Sequence, residues 1–123
     1  KAVMRLDNPL TLLHCTSIYP CPPEQVNLLA INDLKRFGFP VGFSDHTDNE
    51  FCAVGAVALG ATVIEKHLTL DRAQDGPDHL TSIYPVGFYR IVSAIRYTEK
   101  ALGDVLKAVM PDEEKLREAW GRD

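Results

Sequence analysis

Three short apolar runs, LTLLHC (residues 10–15), FPVGFS (39–44) and TVIEKHLTL (62–70), alternate with segments patterned as helices. This alternation constrains the chain more than any other feature. Apolar runs of such length between turn residues read as buried strands. The first is followed by Tyr19-Pro20-Cys21-Pro22-Pro23, a rigid turn that cannot enter a helix interior. From Glu24, EQVNLLAINDLKRFG spaces Val26, Leu29, Ile31, Leu34 and Phe37 near a helical period, and Gly38 supplies the stop. NEFCAVGAVALGA (49–61) predicts a small-residue helix ending at Gly60. VGFYRIVSAIRYTEKALG (86–103) predicts a longer amphipathic helix, with Phe88, Ile91, Val92, Ile95 and Leu102 on one side. PDEEKLREAW (111–120) begins with Pro and acids and carries its bases later, as a helix start should.

Strands alternating with helices imply right-handed crossovers and a parallel sheet. The expected class is α/β, with strands apolar on both faces under covering helices. Three β/α units are too few to close a barrel of eight. They make either a small open sheet or the last part of a TIM (β/α)8 barrel.

The 123 residues fit one domain or a piece of one. A net charge of −4 provides no basic field for nucleic acid or anionic lipid, so neither is an expected partner. No run of about 18 apolar residues could span a membrane, and no signal-peptide pattern opens the chain. Cys15, Cys21 and Cys52 are odd in number and irregularly spaced, which argues for a reducing compartment; the expected location is cytoplasmic. Without a CxxC pair a structural zinc site is not expected. The opening KAVMRLDNPLTLL reads as a scrap of helix and a turn before a strand, an internal start. TSIYP occurs at 16–20 and again at 81–85, in different surroundings, and is read as coincidence.

The polar residues gather where the strands end. The first run ends in His14-Cys15-Thr16-Ser17 and Tyr19, and the second in Ser44-Asp45-His46-Thr47. The third carries Glu65-Lys66-His67 and Thr69, followed by Asp78-His79. In parallel α/β folds this C-terminal rim is where active sites are built. Alternation places Glu65 and His67 on one face and Lys66 on the other. His46 and His67 are 21 residues apart, each at its own strand end. They are open to two readings: a pair of imidazole ligands for a Lewis-acid cation, or strand-end histidines bonded to carbonyls. Ser17 and Ser44 either donate to an anion or simply begin loops. Asp78, in GPDH, is a ligand-facing acid or a turn former. Glu65-Lys66 reads as a rim ion pair of little energetic value, His14 as a satisfied core histidine, and Cys15 and Cys21 lack an adjacent base for nucleophilic work.

LLHCTSIYPCPPEQVNL, VGFSDHT, AVALGATVIEKHLTLDR and GPDHLTS occur in this order. Together these blocks closely resemble the C-terminal part of the catalytic barrel of the N-acetylneuraminate (sialic acid) synthase family. That family includes legionaminate and pseudaminate synthases and spore-coat polysaccharide synthase-like proteins. The resemblance runs from about Leu10 to about Pro111. It implies a TIM barrel that condenses phosphoenolpyruvate with an N-acyl hexosamine such as N-acetylmannosamine, giving a nine-carbon ulosonic acid and phosphate. It implies a divalent cation, Mn2+ or Mg2+, with His46 and His67 as its protein ligands. By the same resemblance Ser44 and Ser17 meet phosphoenolpyruvate, Tyr19 is the aromatic residue of the ligand site, and Asp78 contacts the amino sugar. Glu65 stands beside His67 in a supporting catalytic role.

The chain departs from the family pattern at Asp48-Asn49, where a glycine is usual after DHT, and at Gly87, where an acid is usual. Asn tolerates positive φ, so the turn can keep its geometry without the glycine. The family's remaining barrel strands, with their lysines and glutamates, and its antifreeze-like domain, which helps close the partner subunit's site, have no counterpart in these residues. The expectation is therefore a partial barrel from a homodimeric enzyme, inactive in isolation because the electrostatic constellation is incomplete. The competing readings are a non-catalytic α/β module that pairs through its open sheet edge, and another metal-assisted barrel that condenses pyruvate units.

Overall fold

A computed structural model describes residues 8–121. The helical scrap expected at the start of the chain falls outside these residues. β1 (Leu12–Cys15), β2 (Val41–Asp45) and β3 (Ile64–Lys66) form a three-stranded sheet in the order β1-β2-β3. Both pairings are parallel, with Cys15 opposite Ser44, Ser44 opposite Glu65 and Asp45 opposite Lys66. The helices are α1 (Pro23–Val26), α2 (Ala30–Leu34), α3 (Phe51–Ala58), α4 (Pro85–Leu102) and α5 (Pro111–Trp120).

Local chemistry explains where the elements differ from the sequence pattern. The single helix expected from Glu24 to Gly38 is broken, because Asn27 adopts φ 52°, ψ 53° and ends α1. Asn accepts this left-handed conformation more readily than most residues. A one-turn 3-10 helix, Lys35–Phe37, then carries α2 to Gly38 at φ 76°. β3 is three residues long, not nine, and His67 lies just beyond it. Among the described residues, the chain past β3 pairs again only through a parallel bridge between Leu68 and Ile83, where the Ile83 amide donates to the His67 carbonyl at 3.0 Å. Asn49 does not use the positive φ it would tolerate: Asn27 has the one positive φ outside glycine among the described residues. The Asn49 Oδ1 instead accepts the Phe51 amide at 3.0 Å and starts α3 through an Asx turn.

Among the described residues the sheet has one helix-covered face, not two. Val41, Phe43 and Ile64 meet Val26, Ile31, Ala53, Ala56, Ala61, Ile83 and Ile91 from the helices and their connections. Alternation then sends Leu13, Cys15, Gly42, Ser44, Glu65 and their strand-end neighbours to the opposite face. The run VGFSD is apolar on the helix side only. Small Ala residues at 53 and 56 let α3 lie close on β2, and α4 packs on α3. Gly42 is a steric necessity: a Cβ there would lie 2.5 Å from Leu13 Cδ2 and 2.5 Å from the Val63 carbonyl. α5 is exposed along its whole length and is capped by Met110, whose amide donates to the Glu113 carboxylate at 2.7 Å. No helix of the described residues is long and apolar enough to cross a membrane.

Candidate functional site

The uncovered face ends at the rim in a cluster of polar side chains. Register builds it. Ser44 faces Glu65 across the β2–β3 pair, and its hydroxyl donates to Glu65 Oε1 at 2.7 Å. Two residues after Ser44 on the same face comes His46, and two after Glu65 comes His67. Their ring centroids are 5.5 Å apart. Tyr19, delivered by the turn after β1, stacks on His46 at 4.1 Å and meets the edge of His67 at 5.5 Å. The Tyr19–Pro20 peptide is cis.

His46 is buried, and its tautomer follows from its partners. Nδ1 lies 2.8 Å from the Thr16 carbonyl oxygen. A carbonyl only accepts, so Nδ1 carries the hydrogen and Nε2 keeps its lone pair. Nε2 is 3.3 Å from Ser44 Oγ, but the Ser44 hydrogen is already given to Glu65. The Nε2 lone pair is thus unclaimed among the described residues. His67 is about one-third exposed, with Nδ1 3.8 Å from Asp78 Oδ2, too long for a hydrogen bond. The carbonyl-bonded reading therefore holds for one nitrogen of His46.

These residues fit a divalent cation. Metal–imidazole bonds of about 2.1 Å put two coordinated rings on the order of 5 Å apart, close to the separation seen. A carbonyl bond at Nδ1 that presents Nε2 is the usual arrangement behind a ligating histidine. No group of three His, Cys, Asp or Glu side chains among the described residues could hold a metal by itself. A cation gripped here would keep open positions.

Ser17 is exposed, and among the described residues its hydroxyl reaches only Cys15 Sγ, at 3.8 Å; it is not joined to Ser44. Asp78 is exposed and caps a 3-10 turn, His79–Thr81, with its carbonyl oxygen accepting Ser82 Oγ at 2.6 Å. Partial desolvation, with the nearby Cys15, Asp78 and Glu65 charges adding to it, pushes the Tyr19 phenol above its usual pKa. It remains a hydrogen-bond donor at neutral pH. His14 gives Nε2 to the Val26 carbonyl at 2.6 Å and stacks on Phe43, a structural role.

The rim pair Glu65–Lys66 does not form. Lys66 turns to the other face and pairs with Asp45 at 3.0 Å, with side chains 2% and 0% exposed. Asp45 Oδ1 also accepts the Thr47 amide and hydroxyl, at 2.9 and 2.8 Å. Sequence reasoning set Asp45, Thr47 and Lys66 at the strand ends but missed their pairing behind the histidines. The signal was present: one acid and one base each precede a candidate histidine, so both fall on the face opposite the imidazoles. The Thr16 carbonyl, a backbone group, left no signal at all.

The sequence of residues 2–107 matches the NeuB family. The chain belongs to the NeuB family. It is 48% identical over 107 residues to the N,N'-diacetyllegionaminic acid synthase of Campylobacter jejuni, covering 86% of this chain and 32% of that protein. It is 38% identical over 128 aligned positions to the human N-acetylneuraminate-9-phosphate synthase, covering 99% of this chain and 36% of that one. A crystal structure of the N-acetylneuraminic acid (sialic acid) synthetase of Leptospira borgpetersenii superposes with a TM-score of 0.76 at 36% identity, over 92% of this chain and 41% of that one. The chain therefore spans about a third of the length of the curated relatives it matches. The NeuB relatives are sialic-acid-type synthases, so the parent family is enzymatic.

Proposed function

We propose that the chain is the last part of the (β/α)8 barrel of a synthase joining phosphoenolpyruvate to an N-acyl hexosamine, with release of phosphate. The observation that carries this reading is the pair of imidazoles 5.5 Å apart, one with its Nε2 lone pair unclaimed, on the uncovered face of a NeuB-family sheet. His46 and His67 would hold a divalent cation, Mn2+ rather than Mg2+ on ligand softness, which when bound supplies Lewis acidity to a carbonyl oxygen. The Thr16 carbonyl fixes the His46 tautomer. Ser44 orients the Glu65 carboxylate, and the Tyr19 phenol offers a donor against both rings. Asp78, beside His67, is positioned to accept from a sugar hydroxyl or amide, and Ser17 stands at the outer edge for the carboxylate or phosphate of phosphoenolpyruvate. The first five strands and a partner subunit would complete the site, since the described rim has no lysine or arginine beside the imidazoles to neutralise phosphate.

The test is a chimera in which this chain replaces the matching third of the Campylobacter enzyme. It is expected to release phosphate from phosphoenolpyruvate only with an N-acyl hexosamine and Mn2+ present. The 123 residues alone are expected to release none. A folded chimera that turns over equally well with His46 and His67 both changed to Gln would overturn the assignment.

A further inference from the structure

The buried charges behind the imidazoles have no part in the chemistry described so far. Lys66 Nζ lies 3.0 Å from Asp45 Oδ2 and donates to the Thr47 carbonyl at 2.6 Å. It therefore grips the residues on both sides of His46, while its own neighbour is His67. Asp45 in turn holds the Thr47 amide and hydroxyl, so residues 45 and 47 are tied to one ammonium. All of this happens on the helix side of the sheet. A buried ion pair with good hydrogen bonds adds little to stability over an apolar pair of similar size, because desolvation offsets the attraction. Its value here must be sought in geometry. The β2–β3 ladder stops at Asp45 opposite Lys66, one residue before both histidines, whose carbonyls bond not to each other's strand but to the Cys21 and Ile83 amides.

We propose that the Asp45–Lys66 pair is a positioning clamp that sets the spacing of His46 and His67 for cation binding. The clamp acts through the backbone of residues 45–47 and touches neither substrate nor cation. It rests on the metal reading given above, and the two are separable. Changing only one partner orphans a charge: apart from Lys66, Asp45 Oδ2 has no partner among the described residues. A single variant would then fail by unfolding and would teach little. The informative variant removes both charges together but keeps an Oδ1 acceptor for the Thr47 amide and hydroxyl, Asp45→Asn with Lys66→Met.

The experiment labels the histidine Cε1 positions with 13C in the full chain and, alongside it, in the chimera. Thermal melting by circular dichroism establishes the fold, and the double variant is expected to melt within a few degrees of the parent. Without metal, the parent is expected to show a ring-to-ring nuclear Overhauser effect between His46 and His67, and the double variant to lose it. With Mn2+ titrated in, the parent's two signals broaden together, and the double variant should need about 10- to 100-fold more Mn2+, the usual cost of losing a supporting partner. A double variant that keeps both the ring-to-ring effect and the parental Mn2+ response would overturn the clamp. A parent that shows the ring contact but never responds to Mn2+ would refute the metal reading instead, with the clamp then judged on the ring contact alone. A double variant that unfolds would refute it too, by showing the pair to be a stability element.

Discussion

Replacing Gly42 by Ala tests how the site face is built. Gly42 sits in the middle of β2 on the uncovered face. A Cβ there would approach Leu13 Cδ2 to 2.5 Å, the Val63 carbonyl oxygen to 2.5 Å and Val63 Cβ to 2.9 Å. Carbon contacts rest at about 3.5–4.0 Å, so the overlap is roughly 1 Å. Leu13 can rotate away, but the Val63 oxygen is backbone and accepts the Phe43 amide at 2.8 Å. Relief requires β2 and β3 to part, which stretches that bond. Overpacking costs about 1–3 kcal/mol and the weakened hydrogen bond about 1 more, so a loss of about 3 kcal/mol is expected. For a domain of this size that is about 10 °C in Tm. Gly87 is the control: a Cβ there meets only Ile83 Cβ, at an ordinary 3.5 Å, and Gly87→Ala should stabilise by up to about 1 kcal/mol. Urea unfolding followed by far-ultraviolet circular dichroism measures both. If Gly42→Ala loses less than about 1 kcal/mol, the close approach of β1, β2 and β3 is wrong. The site built on their register then falls with it.

Asn27 holds a left-handed conformation, so Asn27→Gly should be tolerated within a few tenths of a kcal/mol while Asn27→Val costs about 1–2 kcal/mol, read from the same urea curves. Cys15 is exposed, Cys21 is buried and Cys52 is half-buried. A thiol reagent should label Cys15 first, placing an adduct beside His46, whose Nδ1 is 3.9 Å from Cys15 Sγ; equal labelling of all three thiols would contradict the packing. Burial raises the Cys21 and Cys52 pKa values above the ordinary 9.0, and the Asp45 charge adds to the rise. A raised thiol pKa favours the folded state while the thiols stay protonated. Stability is therefore expected to be intact below pH 9 and to decline as pH rises further, with the decline reduced in a Cys21→Ala, Cys52→Ala variant.

The period-two pattern of the strands was legible in the sequence, and so was the consequence that matters most. His46 and His67 fall at strand ends, and Glu65 and His67 share a face because alternation is a local property of extended chain. The parallel order followed from strand–helix alternation, which leaves no room for hairpins. Less legible was the break at Asn27, because the apolar spacing around it is as helical as any in the chain and only one backbone angle ends the helix. The covering of a single face was also hidden: Val41 and Phe43 look alike whether helices lie on one side or both.

Register was beyond the sequence. Ser44 opposite Glu65 and Asp45 opposite Lys66 are pairings across 21 residues, and a shift of one position would swap a polar cluster for a buried ion pair. The sequence by itself determined the element types, the faces and the rim on which chemistry gathers, since these depend on neighbours along the chain. The tertiary structure alone decided which charge lies against which and which carbonyl fixes the His46 tautomer. Those depend on how far one strand slides along the next, and that is set by the packing of Phe43, Ile31 and Ala56 and by the absence of a side chain at Gly42.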